Sequence, residues 1–96
     1  MITLTYEGNT YTVTAHGNLL GIEKTYSDNS FVRKWYKVVD DYEFTYKIQK
    51  TQIRAARGAN GLLEHFEWCI EKNFAIGCWV VDVLNNILDN VKPARR

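Results

Sequence analysis

FVRKWYKVVDDY, residues 31 to 42, carries two periodicities at once. Phe31, Trp35, Val38, Val39 and Tyr42 recur at i, i+4, i+7, i+8 and i+11, the spacing of one helical face. Asp28 or Ser30 would cap such a helix. The same residues also divide by parity. Phe31, Trp35 and Val39 fall on one side of a strand, and Val32, Tyr36 and Val38 on the other. The stretch is rich in β-branched and aromatic residues and poor in strong helix formers, which selects the strand. That choice decides the fold, because it makes the first half of the chain a sheet.

The segments on either side agree. Ile2, Leu4 and Tyr6 alternate with Thr3, Thr5 and Glu7, and Tyr11, Val13 and Ala15 alternate with Thr10, Thr12 and Thr14. Glu7-Gly8-Asn9 stands between them, so the two runs predict a hairpin with a threonine-rich solvent face. His16-Gly17-Asn18 turns the chain into a third strand over 19–26. Ser27-Asp28-Asn29-Ser30 is a second turn, built of residues that hydrogen-bond their own backbone. After Asp40-Asp41, the residues Tyr42, Phe44, Tyr46 and Ile48 alternate with Glu43, Thr45, Lys47 and Gln49 as a further strand.

The helical half is predicted to start near Thr51, with Gly58 and Gly61 interrupting it and Asn60 as an N-cap. Leu62, Leu63, Phe66, Cys69 and Ile70 share one face of a helix over 61–73, opposite Glu64, Glu67 and Glu71, with Trp68 beside the glutamates. A break at Ala75-Ile76-Gly77 precedes a helix over 78–91. Its stripe is Val80, Val83, Leu84, Ile87, Leu88 and Val91, and Asp82, Asn85, Asn86 and Asp89 oppose it. Pro93 stops it. The expected architecture is α+β in a single domain, residues 1–96. An antiparallel sheet of four to five strands over residues 2–49 is followed by two C-terminal helices packed on one face. With both sides of strand 31–39 apolar, one helix pair cannot cover the sheet, and a second copy or a partner is expected on the other face.

Composition narrows the function classes. The chain has 96 residues, a net charge of +1, three Trp, six Tyr and four Phe. So small a charge gives no global attraction to nucleic acid or membrane. Its distribution is uneven: Lys47, Lys50, Arg54 and Arg57 cluster without an acid, whereas residues 64–89 carry Glu64, Glu67, Glu71, Asp82 and Asp89 against Lys72 alone. Cys69 and Cys78 make no disulfide framework and are expected to be reduced in a cytoplasmic protein. The N-terminus has no basic region followed by an apolar run, so no signal peptide is read there. The apolar run CWVVDVLNNILDNV is broken by Asp82, Asn85, Asn86 and Asp89, so no membrane span is expected.

Chemical motifs are sparse. RAARGANG, residues 54–61, sets Arg54 and Arg57 ahead of a helix start, which resembles an anion grip. No G-x-x-x-x-G-K-[ST] run supports that reading, so a helix corner is preferred. His65 and Cys69 have metal-ligand spacing, and Cys78 and His16 could complete a set, but packing explains them as well. Cys78 at a helix N-terminus would have a lowered thiol pKa. Glu64, Glu67 and Glu71 share one environment and so lack the separated acidities that acid–base work needs. No catalytic group, metal or cofactor is therefore expected, and no enzyme.

Aromatic and basic residues on adjacent strands are the strongest lead. Arg33, Trp35, Tyr36, Lys37, Tyr46 and Lys47, with Arg54, Arg57 and Trp68, form the expected binding set. Such residues anchor protein partners. The expectation is a small protein-binding module acting as a dimer, of the inhibitor or adaptor kind carried by mobile genetic elements. The alternative is a domain that binds single-stranded nucleic acid or a nucleotide, stacking bases on the sheet aromatics.

Overall fold

Two-residue turns set the register of the sheet. The computed structural model describes residues 1–38, 42–46, 51–55, 58–72 and 74–94, with the backbone alone described for 42–46, 51–55, 68, 69, 72 and 74–79. Strand β1 (Ile2–Tyr6) turns through Glu7-Gly8 into β2 (Asn9–His16). Both turn residues have positive φ, 52° and 83°. That is the backbone of a type I′ turn, whose twist matches the flanking strands. Tyr6 closes the hairpin against Asn9, which pairs Leu4 with Tyr11 and Ile2 with Val13. Gly17-Asn18, with positive φ at Gly17 alone, makes the type II′ turn into β3 (Leu19–Thr25). A five-residue loop, pinned where Ser30 N–H donates to Asp28 Oδ1 at 3.0 Å, leads into β4 (Phe31–Lys37). The result is a four-stranded antiparallel sheet in the order β1-β2-β3-β4.

The doubtful stretch is a strand over 31–37. Val38 and Phe31 separate the two readings, since a helix would put them on one face and a strand puts them on opposite faces. Val38 is 2% exposed and Phe31 63% exposed. The predicted contribution of Val39 lies outside the described residues.

Beyond β4 the chain forms a separate two-stranded sheet, β5 (Tyr42–Tyr46) with β6 (Thr51–Ala55). The predicted helical start near Thr51 is corrected here. Thr51 pairs with Tyr46, Ile53 with Phe44 and Ala55 with Tyr42. Gln, Arg and Ala favour helix locally, but a strand partner outweighs those fractions of a kcal/mol.

Helix α1 spans Gly58–Lys72 and α2 spans Phe74–Asn90. Both start earlier than their predicted ends at 61 and 78. Ala59, 0% exposed, extends the apolar stripe of α1 back by one turn, so Asn60 lies inside the helix and is not its N-cap. The expected break at 75–77 falls within α2. Gly77 costs a helix about 1 kcal/mol relative to Ala, which tertiary packing overrides. Cys78 consequently sits more than a turn inside α2, which removes the premise of a thiol activated at a helix end. No described helix is long and apolar enough to cross a membrane.

The helices cover one face of the sheet, as expected. Tyr11, Val13, Leu20, Ile22, Tyr36 and Val38 from the sheet form a single buried cluster with residues of both helices. From α1 come Ala59, Leu62, Leu63 and Phe66; from α2 come Val80, Val81, Val83, Leu84, Ile87 and Leu88. Val81 is buried and Asn85 half-buried, so the sheet-facing arc of α2 is wider than the predicted stripe. Asn85 Oδ1 accepts from Lys24 Nζ at 2.9 Å, and its Nδ2 donates to the Tyr11 hydroxyl at 3.1 Å. The Lys24 ammonium also lies over the rings of Tyr11 and Tyr26, at 5.4 and 4.8 Å from their centroids. One helix flank is thus tied to the sheet by polar contacts.

Tyr36 contributes its ring to this core, yet its buried hydroxyl has no hydrogen-bond partner among the described residues. Burial first, and the nearby charge of Asp89 second, hold this phenol above its ordinary value of 10.0. A phenol held high keeps its proton more tightly folded than unfolded. Stability is therefore independent of this group well below pH 10.0 and falls as pH rises from there through the folded value. Tyr36→Phe removes the unsatisfied group without opening a cavity. It should raise stability by about 1 kcal/mol and flatten the alkaline loss. Urea titrations at neutral and alkaline pH check this, and a less stable variant would mean that the hydroxyl is satisfied after all.

A candidate binding surface on the outer sheet face

The face turned away from the helices is ordered by hydrogen-bond parity. In an antiparallel pair, opposed residues alternate between hydrogen-bonded positions and closer, non-hydrogen-bonded ones. The turn at 7–8 makes Tyr6–Asn9 a hydrogen-bonded pair, which leaves Thr3–Thr12 and Thr5–Thr10 as close pairs. The hydroxyls of Thr5 and Thr10 stand 3.3 Å apart. The same alternation makes Glu23–Arg33 and Gly21–Trp35 close pairs across β3 and β4.

Both pairs are used. Arg33 Nε donates to Glu23 Oε2 at 2.7 Å, with its second nitrogen on the same oxygen. Both partners keep solvent access, so the pair contributes at most about 1 kcal/mol. Its larger effect is to neutralise Arg33 and fix it in place. Trp35 lies over Gly21. A Cβ built on Gly21 would stand 2.8, 2.9 and 3.0 Å from three successive atoms of the six-membered ring. Nearly equal distances to three neighbouring atoms mean that the ring presents its face to the glycine. Only a glycine leaves room for it, and the ring covers backbone that glycine leaves bare. The lower ring face is thereby packed and the ring is held flat on the sheet.

Beside this ring runs a groove of about 320 Å³, lined by Met1, Thr12, Thr14, Gly21, Glu23, Arg33 and Trp35. Met1 is 80% exposed at its end, and Phe31 projects from the same sheet face along β4. Lys37 is exposed at the far end of that strand.

Of the expected binding set, the structure brings together Arg33, Trp35 and Lys37. Tyr36 is corrected. Neighbours along a strand point to opposite faces, so a run that includes both Trp35 and Tyr36 cannot present both. Tyr36 is 3% exposed beneath the helices. The two-sided apolar sheet is softened accordingly: threonine is the commonest residue of the outer face, and the large apolar residues there are Trp35, Phe31, Leu19 and Met1. Tyr46 lies on β5 and Arg54 on β6, where Arg54 stands opposite Glu43. Lys47 and Arg57 lie outside the described residues, as does the Trp68 side chain. The groove itself went unread in the sequence, although the lengths of the turns contain the register that creates it.

Gly58 begins α1 with a φ of 67°, which fits a helix corner entered through a left-handed residue. His65 is half-buried on α1, and burial holds its imidazole below the ordinary value. The proposed companions Cys69 and Cys78 have no described side chains. Among the described residues, no group of three His, Cys, Asp or Glu is placed to hold a metal. Comparison of the chain with protein-family models, with curated proteins and with solved structures finds no match.

Proposed function

We propose that the chain is a small protein-binding module, acting in the cytoplasm and as a homodimer, that works by occupying a partner's surface and not by catalysis. An inhibitor or adaptor role suits such a domain. The observation that carries this reading is the flat, fixed Trp35 beside an open groove of about 320 Å³. Tryptophan anchors of this kind, rimmed by polar groups, dominate protein interfaces. Low net charge and the internal neutralisation of Arg33 by Glu23 favour a protein over a polyanion.

Trp35→Ala should weaken capture of the partner from host lysate by about tenfold or more. Tyr26→Ala, placed on the loop away from the groove, should leave capture unchanged. Equal capture by wild type and Trp35→Ala would overturn the reading. One observation supports a second reading: a ring packed on one face is a platform on which a base could stack. In that case oligonucleotides would quench Trp35 fluorescence, and their affinity would fall steeply with salt.

A further inference from the structure

We propose that β1 is a self-association edge, joining two copies antiparallel about a two-fold axis at Leu4 into a continuous eight-stranded sheet. The argument starts from the two edges of the four-stranded sheet. The β4 edge carries Arg33, Lys34 and Lys37, and its Trp35 carbonyl accepts from Ala94 N–H at 2.7 Å. Charge and a covering segment are the devices that keep an edge strand from pairing. Among the described residues, the β1 edge has neither. ITLTY holds no charge, no proline and no bulge, and no described strand pairs with its outer side.

The sequence of β1 also reads alike in both directions about its centre. Ile2 and Tyr6 flank Thr3 and Thr5, which flank Leu4. Hydrogen-bond parity directs Ile2, Leu4 and Tyr6 toward β2, so the main-chain groups of Thr3 and Thr5 point outward. A two-fold axis at Leu4 places Thr3 opposite Thr5 of the second copy, and each such pair can exchange two main-chain bonds. It places Ile2 opposite Tyr6 of the second copy, on the face that carries the helices. Thr–Thr and aromatic–β-branched pairs are among the favourable cross-strand combinations. Ile2, Leu4 and Tyr6 pack against the core but stay only partly buried, which leaves apolar surface for the second copy to cover. A foreign strand would gain the same main-chain bonds, but the two-way symmetry of ITLTY is needed only by a self-pair.

This specifies the self-association within the proposed function and does not depend on the groove. Thr3 and Thr5 lie on the outer face but do not line the groove, so substitutions there test the dimer alone. Sedimentation over a concentration series should show a monomer–dimer equilibrium for the wild type. Thr3→Lys with Thr5→Lys sets lysine against lysine across the axis and should give a monomer with an unchanged far-UV spectrum. Thr3→Lys with Thr5→Glu sets lysine against glutamate and should still dimerise. A wild type that stays monomeric up to millimolar concentration overturns the proposal, whether or not a foreign strand binds. So does a double-lysine variant that dimerises like the wild type. A lysine–glutamate variant no better than the double-lysine variant overturns the register at Leu4.

Discussion

Phe66→Ala is expected to cost about 3–5 kcal/mol, the range for deleting a fully buried aromatic ring. Phe66 is 0% exposed and stands on α1 between Leu62, Leu63 and Ile70, against the sheet's buried face. Lost transfer energy is one part of the cost. The other is the cavity, which closes badly because the ring is held between a helix and a sheet. A chain of this length has roughly 5–14 kcal/mol of stability in all, at 0.05–0.15 kcal/mol per residue. The substitution therefore removes a large share of the total. Urea unfolding followed by far-UV circular dichroism should show the midpoint falling with little change of slope. Phe66→Leu, which keeps most of the volume, should cost clearly less. A cost under 1 kcal/mol for Phe66→Ala would mean that the helices are not packed on the sheet as described.

Phe66 was legible in the sequence, and so was most of the architecture, wherever a segment's periodicity had a single reading. The hairpin 2–16 alternates cleanly and turns on Gly8. Residues 31–37 satisfied helix and strand alike, because positions i and i+4 share a face in both. The strand follows from β-branched content, and the opposite fates of Phe31 and Val38 bear it out. Residues 51–55 misled because Gln, Arg and Ala favour helix, whereas their strand partner lies in β5 and is a tertiary fact. Gly77 misled in the other direction, since a glycine inside a packed helix costs less than the packing returns.

The candidate surface was only half legible. Composition pointed to Trp35, Arg33 and Lys37 together with Tyr36; parity set Tyr36 on the opposite side of the strand, but which side the helices cover is a tertiary fact. The pairs Gly21–Trp35 and Glu23–Arg33 depend on register. Register follows from two turn lengths and the five-residue loop 26–30, each of which would have to be right to within one residue. Gly21 had no signal of its own. Its meaning arises only when Trp35 is set across from it.

Asn85 shows the same limit, and its removal carries the second large effect. On a helical wheel it falls among the polar residues of α2, yet it faces the sheet, and it holds Lys24 and Tyr11 together across the helix–sheet interface. Asn85→Ala should cost about 2–3 kcal/mol. The loss includes a bond to an ammonium, and it leaves the hydroxyl of Tyr11, a residue only 2% exposed, without this partner. Asn85→Asp separates the two contributions. The carboxylate still accepts from Lys24, now as a charge-assisted bond, but it cannot donate to Tyr11. The hydroxyl can donate instead, so this variant should be close to wild type at neutral pH. Beside an ammonium, the new carboxylate is held below the ordinary Asp value of about 3.9 in the fold. Its contribution is therefore present above that value and lost as pH falls through the folded one. Urea midpoints for both variants at neutral and acidic pH decide the matter. If Asn85→Ala is as stable as wild type, the polar tie contributes nothing and α2 is held by its apolar arc alone.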